Sequence, residues 1–89
     1  MHKDFSDDAW ADYTYWIMQD KKTLKKINQL LADIERNGND GIGHPEPLKG
    51  KPEGRWSRQI TKKHRLVYRI YELKVYVEVL TAYGHYDDK

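Results

Sequence analysis

The stretch WSRQITKKHRLVYRIYELKVYVEVL, residues 56–80, decides the fold. Three runs within it alternate with period two, the pattern of strands that bury one face. Trp56–Ile60 is the first. His64–Tyr71 follows, with Leu66, Tyr68 and Ile70 on one side and Val67 and Tyr71 on the other. In the third, Val75, Val77 and Val79 alternate with Tyr76, Glu78 and Leu80. The breaks between them, Thr61–Lys63 and Glu72–Leu73, are of hairpin length, so the three strands are expected to run antiparallel.

Upstream of this block, residues 38–55 hold five of the six glycines and all three prolines. That composition reads as a long loop, and long loops in small domains are usually functional or disordered. Further upstream the period changes to that of a helix. Ser6 has the chemistry of an N-cap, with Asp7 and Asp8 in the first turn where the helix dipole favours acid. Ala9, Trp10, Tyr13, Trp16 and Ile17 form one apolar stripe. Asp20 caps a second helix whose stripe is Leu24, Ile27, Leu31 and Ile34, with Leu30 beside it, and Asn37-Gly38 ends it. Residues 2–5 fit a short first strand. The expected fold is α+β, in the order β-α-α-β-β-β, with the helical hairpin (residues 6–37) on one face of an antiparallel-rich sheet and basic side chains on the other.

A length of 89 residues fits one domain, 1–89. Aliphatic residues are few, so the three Trp, seven Tyr and one Phe are expected to supply much of the core. There is no Cys, which excludes disulfides and Cys-based metal sites. No apolar run reaches the roughly 18 residues of a membrane span, and Met1–Phe5 has no apolar signal segment. The expectation is a soluble cytoplasmic protein. Net charge is only +2, but it is unevenly spread. Residues 45–69 carry Lys49, Lys51, Arg55, Arg58, Lys62, Lys63, Arg65 and Arg69 against Glu46 and Glu53. A basic segment interleaved with Trp56 and Tyr68 is the footprint of a polyanion binder, although a solvated strand face gives the same pattern.

Three short motifs carry chemistry. Pro45-Glu46-Pro47-Leu48-Lys49 fixes a carboxylate between two prolines. His64-Arg65-Leu66-Val67-Tyr68 places a guanidinium at the start of a strand, and Gly84-His85-Tyr86 places an imidazole past the last one. Each has an ordinary reading: a polar loop Glu, a salt-bridge Arg, an exposed terminal His. As a set they suit one reaction. Cleavage of RNA by its own 2′-OH needs a base for that hydroxyl, a cation for the phosphorus oxygens and an acid for the leaving 5′ oxygen. Glu, Arg and His supply these without a metal or any other cofactor, and DNA, lacking the 2′-OH, would escape.

The chain resembles the YoeB/Txe toxins of the RelE superfamily nearly end to end. The resemblance rests on Trp10–Trp16 (Trp-Ala-Asp-Tyr-Thr-Tyr-Trp), Lys25-Lys26-Ile27-Asn28, Gly43-His44-Pro45-Glu46-Pro47-Leu48-Lys49, Trp56-Ser57-Arg58, Ile60-Thr61, His64-Arg65-Leu66-Val67-Tyr68 and His85-Tyr86, in that order. It implies a RelE-like fold and a ribosome-dependent endoribonuclease that cuts mRNA in the ribosomal A site and so blocks translation. It further implies Glu46 as general base, Arg65 at the scissile phosphate, His85 as general acid and Tyr86 as their aid. Lys49, Arg58 and Arg69 would hold substrate or ribosomal RNA. The implied partners are a YefM-type antitoxin, mRNA and the ribosome, with a homodimer also possible and no membrane. Two places depart from the family's usual pattern: Arg58-Gln59 stands where an Arg-Arg pair is frequent, and Asp87-Asp88-Lys89 follows His85-Tyr86. The alternatives are a non-catalytic ribosome- or RNA-binding module of the same fold and a DNA-binding repressor. For the latter, Lys21–Lys26 is the one candidate reading segment.

Overall fold

The computed structural model describes residues 1–50 and 53–80. In chain order they form β1 (His2–Phe5), α1 (Asp7–Gln19), α2 (Lys21–Asn37), β2 (Glu46–Pro47), β3 (Arg55–Gln59), β4 (Arg65–Tyr71) and β5 (Lys74–Val79). The sheet order is β1-β5-β4-β3-β2. β1 runs parallel to β5, and the other neighbours pair antiparallel. The α+β layout expected from the sequence is present, with one addition. Within the expected loop, Glu46 and Pro47 pair with Ser57 and Trp56 as a two-residue edge strand.

The helix ends follow from their caps. Ser6 Oγ accepts from the Ala9 N–H at 2.9 Å and donates to the Glu78 carbonyl at 2.7 Å, tying the start of α1 to β5. Asp20 closes one helix and opens the next. Its N–H donates to Trp16 O, and its carboxylate accepts from Thr23 Oγ1 and from the N–H groups of Thr23 and Lys22. Those hydrogen bonds, the Thr23 hydroxyl first, hold its pKa below the usual carboxyl range. Gly38 ends α2 at φ 66°, where its N–H reaches Ile34 O.

Between the helices and the sheet lies a core of Ala9, Trp16, Ile27, Leu30, Leu31, Ile34, Ile60, Leu66, Tyr68, Val75, Val77 and Leu80. Each Val, Leu or Ile among them, fully buried, contributes about 1.5–3 kcal/mol. Two expectations are corrected here. The centre of the core is aliphatic, with only Trp16 and Tyr68 buried among the described aromatics, while Phe5, Tyr13 and Trp56 line its margin. The inward stripe of α1 is also rotated. Ala9, Asp12 and Trp16 are buried, whereas Trp10 and Ile17 are exposed. Trp10 stacks on Tyr13, and Phe5 meets both rings edge-on, at centroid distances of 5.7–5.8 Å. This rim cluster satisfies Trp10 without burying it.

The strand register sorts the side chains to the two faces. Trp56 lies opposite Tyr68 and Arg58 opposite Leu66, so these point toward the helices. Arg55, Ser57 and Gln59 lie opposite Arg69, Val67 and Arg65 on the other, open face. Glu46 lies opposite Ser57 and shares that face.

Candidate active site

The open face gathers part of the expected set. Glu46 comes from the edge strand β2 and Arg65 from the first position of β4. Arg65 Nη1 lies 3.8 Å from Glu46 Oε1, with 54% and 60% of the side chains exposed. At that separation the two form an ion pair rather than a hydrogen bond. Opposite charges therefore face each other while their polar atoms stay open to an incoming group.

Local structure fixes both ends of this pair. Leading into β4, Thr61 Oγ1 accepts from the N–H groups of Lys63 and His64 at 3.1 Å each. The His64 ring packs edge-on against Trp16 at 5.1 Å. Arg65 thus leaves a turn that is anchored to the core. On the other side, His44 adopts φ 53° immediately before Pro45. A non-glycine residue rarely takes that conformation, and a following proline normally favours extended backbone. Strain of this kind persists where the surroundings enforce it. Beyond Glu46, the Leu48 N–H donates to Arg55 O at 2.9 Å and keeps the edge in register.

Other expected residues take different places. Lys49 is exposed just past β2. Arg69 is half-buried on the open face, its guanidinium 5.6 and 5.7 Å from the ring centres of Tyr71 and Tyr76. Arg55 on the same face pairs with Glu78 at 3.3 Å. His85 and Tyr86 lie outside the described residues.

Arg58 is a correction. Its side chain has no exposure and faces the helices, so it has no surface to offer RNA. Nε donates to Tyr68 Oη, Nη1 to Asp33 Oδ2 and the Ile42 carbonyl, and Nη2 to the Gly38 and Asp40 carbonyls. The hydrogen bond from Arg58 holds the Asp33 carboxyl below the usual carboxylate range. Burial pushes the Tyr68 hydroxyl's pKa up, partly offset by Arg58. A signal for this was present in the sequence: Arg58 shares period-two parity with Trp56 and Ile60, both apolar. Sequence reasoning also passed over Ser57. It alternates to the open face opposite Glu46, is fully buried, and its Oγ has no partner among the described residues.

Residues 5–86 match the family described as YoeB-like toxins of bacterial type II toxin–antitoxin systems. The toxin RelK of Mycobacterium tuberculosis is 45% identical over 82 residues, covering 92% of this chain and 94% of its own. Two Staphylococcus aureus structures superpose with TM-scores of 0.88 at 42% identity, covering 93% of this chain and 97% of theirs. One is a heterotetrameric YoeB–YefM toxin–antitoxin complex, the other a YoeB dimer.

Proposed function

The chain belongs to the YoeB-like toxins of bacterial type II toxin–antitoxin systems, and we propose that it is a ribosome-dependent endoribonuclease that stops translation by cutting mRNA in the A site. The observation that carries this reading is the Glu46–Arg65 pair, a carboxylate and a guanidinium 3.8 Å apart on an open basic face. Glu46 takes the proton of the 2′-OH, whose oxygen attacks the adjacent phosphorus. Arg65 neutralises the charge that builds on the non-bridging oxygens. His85 donates a proton to the departing 5′ oxygen, assisted by Tyr86. The products are a 2′,3′-cyclic phosphate and a 5′-hydroxyl, and the proton count closes between Glu46 and His85 without a metal. Lys49 and Arg69 hold flanking phosphates. The ribosome presents the message in a reactive geometry, a contribution of several kcal/mol.

Control follows from the same face. A YefM-type antitoxin, the partner in the S. aureus complex, covers the basic side chains and displaces the segment bearing His85. The cytoplasm, where ribosomes and message meet, is the place of action, and a homodimer like that of the S. aureus toxin is the proposed antitoxin-free form.

The decisive experiment is translation of a defined message with purified protein and mapping of 5′ ends, with and without ribosomes. Efficient cuts are expected only on ribosomes, and a 2′-deoxy nucleotide at the cut position should abolish them. Equal cleavage of naked RNA would overturn the ribosome requirement. Inhibited translation with an intact message would favour the non-catalytic binding module.

A further inference from the structure

Every N–H of the Arg58 guanidinium is used, although none of it reaches solvent or the open face. An arginine side chain carries five such donors, and here they meet five acceptors: Tyr68 Oη, Asp33 Oδ2 and the carbonyls of Gly38, Asp40 and Ile42. Burying a guanidinium is costly unless each donor is met. A core ion pair would need only Asp33. Three of the five acceptors are instead backbone carbonyls of the loop that leaves α2 for β2.

The rest of the loop is built around the same centre. The Asp33 carboxylate also accepts from Asn37 Nδ2 at 2.7 Å and from the Ile42 N–H at 3.0 Å. Gly41 takes φ 111°, and a Cβ there would stand 2.0 Å from Asp33 Oδ2. Gly43 takes φ 83°, and a Cβ there would meet Leu30 Cδ2 at 2.7 Å. The Gly43 carbonyl accepts from the N–H of Gln59, the residue next to Arg58, at 2.7 Å. His44 and Pro45 then deliver the chain to Glu46.

We infer that Arg58, clamped by Asp33, is a positioning residue that fixes loop 38–44 from the buried face of the sheet and thereby sets Glu46 against Arg65 on the open face. This rests on the role given to Glu46 under the proposed function. Lysine cannot replace Arg58, because a point ammonium with three donors does not span the five acceptors. The depressed pKa of Asp33 agrees with this arrangement, since its carboxylate stays charged beside the guanidinium.

The test uses Arg58→Lys and Gly41→Ala, the second perturbing the loop while keeping both members of the ion pair. In the intact protein, amide hydrogen exchange at Ile42 and Gln59 should quicken by at least about tenfold in both variants while β4 and β5 amides keep their protection. On ribosome-bound message, kcat should fall on the order of 10²-fold, the scale of a misplaced catalytic group. KM should stay within about threefold. In a Glu46→Gln background neither substitution should lower the residual rate further, because the loop acts through Glu46. If Arg58→Lys does not fold, Gly41→Ala and Asp33→Asn carry the same measurements. Unchanged exchange at Ile42 and Gln59 overturns the inference, as does an equal proportional loss of rate with and without Glu46. A full-rate Glu46→Gln would overturn the base assignment instead, leaving the exchange measurement to judge the loop.

Discussion

Two arginine–carboxylate pairs sit on opposite faces of one sheet, and they have little in common beyond their charges. Arg58 and Asp33 meet between sheet and helices, with Arg58 fully buried and every donor satisfied. Arg65 and Glu46 meet in the open, more than half exposed, at a distance too long for a hydrogen bond. The first pair is saturated and holds the chain in place. The second is unsaturated, and its charges remain available to a third group. Six residues lie between the two arginines in sequence; what separates them in function is strand parity, which sends Arg58 inward opposite Leu66 and Arg65 outward opposite Gln59.

The contrast can be broken at either pair. The largest effect belongs to the open one. Arg65→Ala should lower the rate of message cleavage on ribosomes by about 10²–10³, while its melting curve stays within about 1 kcal/mol of the parent, as for other exposed ion pairs. Unchanged cleavage by a folded Arg65→Ala protein would remove the open pair from the chemistry. The opposite profile is expected of the buried pair. Arg58→Ala should cost about 3–5 kcal/mol of stability in urea unfolding, because it strands a buried carboxylate and several carbonyls. A loss below about 1 kcal/mol would show that the two pairs differ less than their burial implies.

The smallest effect is in acid and sharpens the same contrast. Asp33 has a pKa lowered first of all by its hydrogen bond from Arg58. A group whose folded-state pKa is depressed adds stability that is complete above its unfolded pKa and is lost as pH falls through the folded one. The window therefore opens below about pH 4, the ordinary range of an aspartate. Urea unfolding from pH 6 downward should show the parent losing stability in that window, with Asp33→Asn losing less. Asp20 and Glu35, also depressed, keep titrating in both proteins and set the common background. Identical slopes would mean that Asp33 gains nothing from Arg58.

What the sequence discloses follows the range of the interaction concerned. Ser6, Asp20 and Gly38 act within a turn of their own helices, and the helix limits they mark are those observed. Alternation in residues 56–80 likewise reveals three strands to within a residue or two. Strand β2 escapes, because two residues flanked by loop and interrupted by proline have neither the length nor the propensity of a strand; only pairing with β3 makes them one. The α1 stripe is misjudged because Trp10 finds partners at the rim in Phe5 and Tyr13. Glu46 and Arg65 are legible as motifs, but their pairing depends on a long-range register. Arg58 is misread for a related reason. Charge summed along a segment takes no account of parity, and the acceptors that hold Arg58 lie 10–25 residues away, the separations of Tyr68 and Asp33.

The parallel pairing of β1 with β5 has a consequence in time. Among the described residues, the first strand of the chain has its one sheet neighbour 72 residues onward, where Phe5 meets Val77 in register, and Ser6 is bound to Glu78 across the same interval. Contacts so distant along the chain form slowly, since their loop-closure entropy must be overcome before they repay it. During synthesis the start of α1 has no sheet to lie against until residues 74–79 have emerged. Until then the helices have only an unfinished sheet to pack on, whereas the edge strand bearing Glu46 needs only β3, 9–11 residues onward. The order of strands acts as a delay between making the molecule and completing its fold.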